Sequence, residues 1–139
     1  MKIKEIQDEI VDEFSMFDEW DERYQYVIDL GKSLPLIEEQ YKTEEYKIKG
    51  CQSNLWLHSE FKDGKVIYTA DSNGSITKGI ISVLIRVFSN QTPEDILKAD
   101  LQFIKDINLQ EHLAMTRSNG LDKMIKQIKY DALAFSLKK

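Results

Sequence analysis

The chain has one cysteine, Cys51, and its thiol is the side chain best suited to covalent chemistry. A lone sulfur forms no intramolecular disulfide, and it supplies too few ligands for a zinc ion or an iron–sulfur cluster, each of which needs about four. Gly50 precedes the cysteine, and Lys47 and Lys49 are close in sequence, so the local positive potential favours a thiolate. A free cysteine is also often a small buried filler. Residue type and spacing leave both possibilities open.

The two histidines give no metal signal. His58 and His112 are far apart and form neither an HxxxH nor an HxH pair, so we expect ordinary hydrogen-bonded or exposed histidines. Trp56 is expected in the core rather than as a cofactor platform, although a partly exposed indole beside Cys51 would help a partner to dock. The residues therefore predict no metal site.

The composition is that of one folded domain. The chain has 139 residues, of which 42% are hydrophobic and 31% charged. That is enough to bury a core without disulfides or a structural metal, so we expect a single domain over residues 1–139.

The charge and the apolar runs bear on partners and location. With 24 acidic and 19 basic residues the net charge is −5, and no basic block is interleaved with aromatics, so no nucleic-acid partner is expected. The acidic N-terminal stretch is not typical of a signal peptide, and no apolar run reaches the roughly 18 residues that span a bilayer. We therefore expect a cytoplasmic protein without membrane contact.

Two amphipathic helices are predicted first. Apolar residues at spacings of three and four form one face of the first helix: Ile3, Ile6, Ile10, Phe14 and Phe17. A second periodic set runs from Tyr24 to Leu34, where Pro35 limits its extension.

The apolar period then changes to two, at residues 46–49 and clearly from Leu55 onward, which predicts β structure. Asp63-Gly64 is a preferred type I′ pair, so a tight antiparallel hairpin follows. The predicted register places Phe61 opposite Val66, Ser59 opposite Tyr68, and Leu57 opposite Ala70.

Helices are predicted again in the second half of the chain. Residues 72–75 offer caps to a helix in which Gly79 would allow close packing on the sheet. Thr92-Pro93 begins another helix, and Ser118 would cap a long last helix. Helices, then a small antiparallel sheet of about three strands, then helices give an α+β fold with helices packed against the sheet.

Three sequence blocks resemble the SufE family of sulfur-acceptor proteins. They are KGCQSNLWL at residues 49–57, DSNGSITKGI at residues 71–80 and TRSNGLDKM at residues 116–124. The blocks occur in family order and at family separations, and the likeness covers nearly the whole chain.

This resemblance implies a SufE/IscU-like fold and a function for Cys51. It matches the family's acceptor cysteine, which takes persulfide sulfur from a SufS-like, pyridoxal-phosphate-dependent cysteine desulfurase. The resemblance further implies stimulation of the desulfurase and delivery of sulfur to a SufBCD-like scaffold complex for iron–sulfur cluster assembly. The chain would act as a sulfurtransferase-like persulfide carrier rather than as a free-standing enzyme, with no cofactor of its own, as a monomer or weak homodimer.

Four more residues match family positions and are expected to help partner binding or transfer: Arg117, Gly50, Gln52 and Asp71. The guanidinium of Arg117 would stabilise developing thiolate charge, or it is a surface cation near the last helix. The family usually has a proline two residues before this arginine, where the chain has Met115. For Asp71 a structural role at the end of the hairpin is favoured.

Other functions compete with sulfur acceptance. One is a regulatory module that docks on the desulfurase with an inert cysteine, and alkylation of Cys51 would leave that activity intact. A self-sufficient cluster scaffold needs several cysteines. A hydrolase that uses Cys51 with His58 or His112 has no recognisable nucleophile motif.

Overall fold

The computed structural model describes residues 2–50, 53–107 and 115–137, with backbone alone for residues 115–119. The predictions for Cys51, Gln52 and His112, and for the side chain of Arg117, therefore lie outside the described residues.

The chain begins with the predicted pair of helices, α1 (Ile3–Ser15) and α2 (Trp20–Gly31). The apolar face of α1 buries Ile3, Ile10 and Phe14. Phe17 was predicted on that face, but it follows the end of the helix and packs on Tyr26 of α2, with ring centres 4.9 Å apart.

The third helix, α3 (Ser75–Phe88), packs on α2. A β-carbon built on Gly79 would overlap the backbone carbonyl of Val27, and Ser82 Oγ donates to the carbonyl of Leu30 at 2.9 Å. Glycine at position 79 thus allows close packing of helix on helix. The prediction that it faces the sheet is wrong, because the close neighbour belongs to α2.

The hairpin is confirmed in its register and its turn. Strands β1 (Leu55–Lys62) and β2 (Lys65–Ser72) pair antiparallel, with Phe61 opposite Val66, Ser59 opposite Tyr68 and Leu57 opposite Ala70. The turn residues Asp63 and Gly64 have φ values of 53° and 78°, as a type I′ turn requires.

The prediction of about three strands is wrong, since the described residues form a sheet of two strands. Within the predicted strand at residues 46–49, Lys47 makes only an isolated bridge to Trp56, and the Ile48 N–H donates to the Leu55 carbonyl at 2.8 Å. A 3₁₀ turn at Glu44–Tyr46 precedes this pairing and the positive φ of Gly50 follows it. Too few extended residues remain between them for a strand.

Among the described residues, three helices follow: α4 (Pro93–Lys98), α5 (Gln102–Asp106) and α6 (Met115–Leu137). Thr92 caps α4 as predicted, with Oγ1 accepting from the Asp95 N–H at 3.2 Å. Ser118 was predicted to cap the last helix, but α6 begins at Met115 and Ser118 lies inside it. The residues before Ser118 are compatible with a helix, and capping preference is only a weak guide to where one begins.

The helices cover one face of the hairpin, which confirms the α+β class. Tyr68 of β2 is fully buried and donates its hydroxyl to the carbonyl of Ile128 in α6 at 2.7 Å. On the opposite face Tyr41 stacks on His58, with ring centres 3.7 Å apart. Among the described helices, none has the length and apolar character needed to cross a membrane.

Candidate functional site

Hydrogen bonds hold the backbone that follows the cysteine position. The Asn54 N–H donates to Asn73 Oδ1 at 3.1 Å, and the Asn73 N–H donates back to the Asn54 carbonyl at 3.3 Å. Ser72 Oγ also donates to the Asn54 carbonyl. The residue pair 53–54 is therefore attached to the corner between β2 and α3.

The amino end of α3 completes this attachment. Gly74 is the N-cap residue, and a β-carbon built on it would overlap the side chain of Ser53. The helix was predicted to begin with a side-chain cap from residues 72–75, but its N-cap residue is Gly74, which has no side chain. Ser72 Oγ instead accepts from the Gly74 N–H at 3.2 Å. Ser53 thus lies beside the positive end of a 14-residue helix, where negative charge is stabilised.

The backbone that precedes the cysteine lies against α6. Gly50 has a φ of 89°, a conformation that other residues rarely adopt. A β-carbon built on it would lie 3.1 Å from Cε of Lys123, 3.4 Å from Cγ and 3.6 Å from Cδ. The lysine stem therefore covers the side of Gly50 from which a side chain would project.

Asp71 forms a small charged cluster at the same end of the hairpin. Its carboxylate lies 2.7 Å from Lys42 Nζ and 3.4 Å from Lys78 Nζ, and it accepts from the Ser72 N–H at 2.8 Å. Burial raises the pKa of Asp71, but the hydrogen bonds from Lys42 and Ser72 outweigh it and hold that pKa below its usual value. Lys42 Nζ also lies 5.9 Å from the ring centre of Trp56. These contacts support the structural role that was favoured for Asp71.

The structure thus brings the three sequence blocks together around the cysteine position. The first block meets the second through Asn54 and Asn73, and through Ser53 and Gly74. It meets the third through Gly50 and Lys123. Residues that are more than 60 positions apart in the chain therefore flank the same loop.

The predicted site residues that the structure describes lie on different sides of the cysteine position. Gly50 lies on one flank of the loop, and Asp71 lies in the strand next to the other flank. Arg117 lies in the first turn of α6, where the backbone alone is described. Lys123 was missed by the sequence predictions, although it belongs to the third block, because no helical period relates it to Gly50.

The positive potential that was predicted from Lys47 and Lys49 is reduced by Glu44. Both ammonium groups pair with Glu44, at 3.7 Å and 2.7 Å respectively. His58 is an ordinary packed histidine, stacked on Tyr41, with Tyr46 edge-on. Across the described ranges, no three His, Cys, Asp or Glu side chains gather in a group that could hold a metal ion.

The fold and this arrangement define a class of α+β protein in which a hairpin and two helices meet at the residues on either side of the single cysteine. The family model of the SufE "Fe-S metabolism associated domain" matches residues 8–132. The chain belongs to the SufE family, and this membership assigns it to iron–sulfur metabolism.

Two relatives and one solved structure extend this result. An uncharacterized SufE-like protein of Rhizobium meliloti is 38% identical over 130 residues, covering 90% of this chain and 93% of its own. An uncharacterized SufE-like protein of Rhizobium etli is 36% identical over 130 residues, covering 90% and 88%. The solution structure of a hypothetical protein from Thermus thermophilus has a TM-score of 0.78, with 17% identity, and covers 96% of this chain and 97% of its own. That last likeness concerns the fold alone.

Proposed function

We propose that this protein accepts persulfide sulfur on Cys51 from a SufS-like, pyridoxal-phosphate-dependent cysteine desulfurase. The observation that supports the proposal is the meeting of the three family blocks at Gly50, Ser53 and Asn54, on both flanks of the cysteine. A filler cysteine would need no such convergence. An acceptor needs its loop held in a defined place.

The transfer is an exchange at sulfur. The Cys51 thiolate attacks the outer sulfur of the desulfurase persulfide, and a new S–S bond forms on Cys51. The S–S bond in the desulfurase breaks, and its cysteine leaves as a thiolate with the bonding electron pair. The outer sulfur keeps its proton. Because one S–S bond forms as another breaks, no external oxidant or reductant is consumed and no free sulfide is released.

The other residues that match family positions support this step. Gly50 and Asp71 hold the two sides of the loop and of the hairpin end, while Gln52 and Arg117 contact the desulfurase or the transferred sulfur. The protein also stimulates the desulfurase and passes sulfur to a SufBCD-like scaffold complex. We propose that it works in the cytoplasm as one domain over residues 1–139, as a monomer or weak homodimer.

The proposal is tested by intact mass after incubation with a cysteine desulfurase and free cysteine. Wild type should gain one sulfur mass, about 32 Da, and Cys51→Ser should gain none. A control with Ser15→Cys in the Cys51→Ser background places a thiol at an exposed position at the end of α1. It should gain little, because acceptance requires the loop and not merely a thiol.

Two results would count against the proposal, the first against the need for the loop and the second against acceptance itself. Equal loading of the relocated thiol would show that any accessible cysteine takes up sulfur. Binding of wild type to the desulfurase without gain of sulfur would favour the docking module with an inert cysteine.

A further inference from the structure

The side chain of Lys123 lies along the backbone that leads into Cys51. Its Cε would be 3.1 Å from a β-carbon on Gly50, and the ammonium is one C–N bond of about 1.5 Å further on. Cys51 is the next residue in the chain, and consecutive Cα atoms are about 3.8 Å apart. A charge held at Gly50 therefore acts on the following residue within one Debye length, about 10 Å at moderate salt.

Two described lysines that precede Gly50 are already paired. Lys47 and Lys49 share the carboxylate of Glu44, so their charges are partly cancelled. Lys123 makes no hydrogen bond or ion pair with any other described residue. Like its α6 neighbours Asp122 and Lys126 it is exposed, while its stem contacts the position of Gly50. Its charge is therefore not compensated by any partner within the described part of the chain.

We propose that the positive charge of Lys123 makes the Cys51 thiol more reactive. Its ammonium stabilises the thiolate that attacks the desulfurase persulfide, because a nearby cation lowers the pKa of a thiol. It also stabilises the persulfide anion that forms when the transferred sulfur releases its proton to water. Its methylene stem packs on Gly50 and keeps the charge at the start of the loop. This role rests on the proposed function, but its effect on the thiol is measurable without the desulfurase.

The test is the rate at which iodoacetamide alkylates Cys51, followed by intact mass between about pH 6 and pH 9. Every adduct reports on Cys51, since the chain has no other cysteine. Lys123→Met keeps the stem and removes the charge, and it should slow alkylation at pH 7 about two- to fivefold. The rates should converge at high pH, where the thiolate is fully formed, and 1 M salt should narrow the difference.

Two further variants separate charge from structure. Lys123→Arg keeps the charge and should react like wild type. Lys126→Met removes an exposed lysine three residues further along α6 and should also react like wild type. If Lys123→Met reacts as fast as wild type, or if Lys126→Met is slowed equally, the proposal is overturned.

Sulfur loading by the desulfurase, measured on the same samples, separates this proposal from the proposed function. Failure of wild type to load, or loading of Cys51→Ser, would remove the acceptor function whatever the alkylation rates show. Loading that depends on Cys51, with alkylation unaffected by Lys123→Met, would remove the role of Lys123 alone.

Discussion

The two ends of α3 carry charged clusters of similar chemistry with different purposes. At the carboxyl end, Arg86 pairs with Glu9 and Glu13 of α1, and Tyr26 of α2 donates to Glu13. At the amino end, Asp71 pairs with Lys42 and Lys78 beside the loop that contains the cysteine. The first cluster joins α1, α2 and α3. The second joins the end of β2 to α3 through Lys78, and to Lys42, which lies near the ring of Trp56.

The two clusters should therefore contribute differently to stability and to function. Arg86 lies in the last turn of α3, about 18 Å along the helix from its N-cap Gly74, so its cluster is expected to affect folding alone. The cluster of Asp71 adjoins Ser72 and Asn73, which hold the loop. A substitution in this cluster should therefore change both the stability of the fold and the sulfur transfer. Substitutions at the two ends should therefore give different ratios of stability loss to activity loss.

The largest effect on stability is expected for Arg86→Met. It leaves Glu13 and Tyr26 half-buried without their cation, which should cost about 2 kcal/mol of the free energy of unfolding. Urea denaturation measures this loss. Lys4→Met, which breaks an exposed pair with Asp8, is the control and should leave the midpoint unchanged. Sulfur loading per folded molecule should equal that of wild type. Slower loading would contradict the assignment of this cluster to stability alone.

The same cluster predicts a pH dependence. The hydrogen bond from Arg86 lowers the pKa of Glu13 against the effect of burial, and the hydrogen bond from Tyr26 adds to it. Because the folded pKa is the lower one, the stabilisation is fully present above the unfolded pKa and is lost as the pH falls through the folded pKa. The difference in unfolding free energy between wild type and Arg86→Met should therefore shrink in acid.

A smaller effect is expected for Asp71→Asn. Asparagine keeps the shape and an acceptor for the Ser72 N–H, but it leaves Lys78 without this counter-charge and Lys42 with Glu39 alone. The cost should be up to about 1 kcal/mol. The comparison of single-turnover sulfur loading with urea stability decides its role. Loading within about twofold of wild type fits a structural role, given the modest worth of partly exposed ion pairs. A much larger loss without a matching loss of stability would make Asp71 a transfer residue.

The smallest effect, of opposite sign, is expected for Asp131→Asn. Burial raises the pKa of Asp131 despite hydrogen bonds from Ser59 at 2.9 Å and Gln127 at 2.8 Å, and no salt bridge links it to a cation in the described part of the chain. Its ionised form therefore destabilises the fold above the folded pKa, and this penalty disappears below the unfolded pKa. The variant should be about 0.5 kcal/mol more stable at pH 7, a gain that vanishes as the pH falls towards 4. A loss of stability at pH 7 would contradict this account.

Local patterns were sufficient to predict much of the fold. The Asp63-Gly64 turn sets the register of the hairpin, and Thr92-Pro93 marks the start of α4, because both signals act within a few residues. The third strand was predicted wrongly, since alternation at residues 46–49 does not reveal the 3₁₀ turn that shortens it. The packing of Gly79 on α2 depends on tertiary contacts that periodicity does not encode.

The site was predictable in its residue types but not in its assembly. Cys51 and Asp71 stand out in the sequence, through the lone thiol and the family blocks. The approach of Lys123 to Gly50 could not be predicted, because it depends on how α6 lies across the hairpin. The sharing of Glu44 by two lysines likewise follows from the 3₁₀ turn that brings the carboxylate back to them.

The most direct test of sulfur acceptance on Cys51 is a single-turnover balance of alanine, protein-bound sulfur and free sulfide. The desulfurase would be mixed with free cysteine and an excess of this protein, without reductant. We predict that sulfur on Cys51 equals the alanine formed and that sulfide stays at background, while Cys51→Ser takes up none. Alanine formed in equal amount with wild type and with Cys51→Ser, while neither protein carries sulfur, would contradict the transfer and leave a docking role alone.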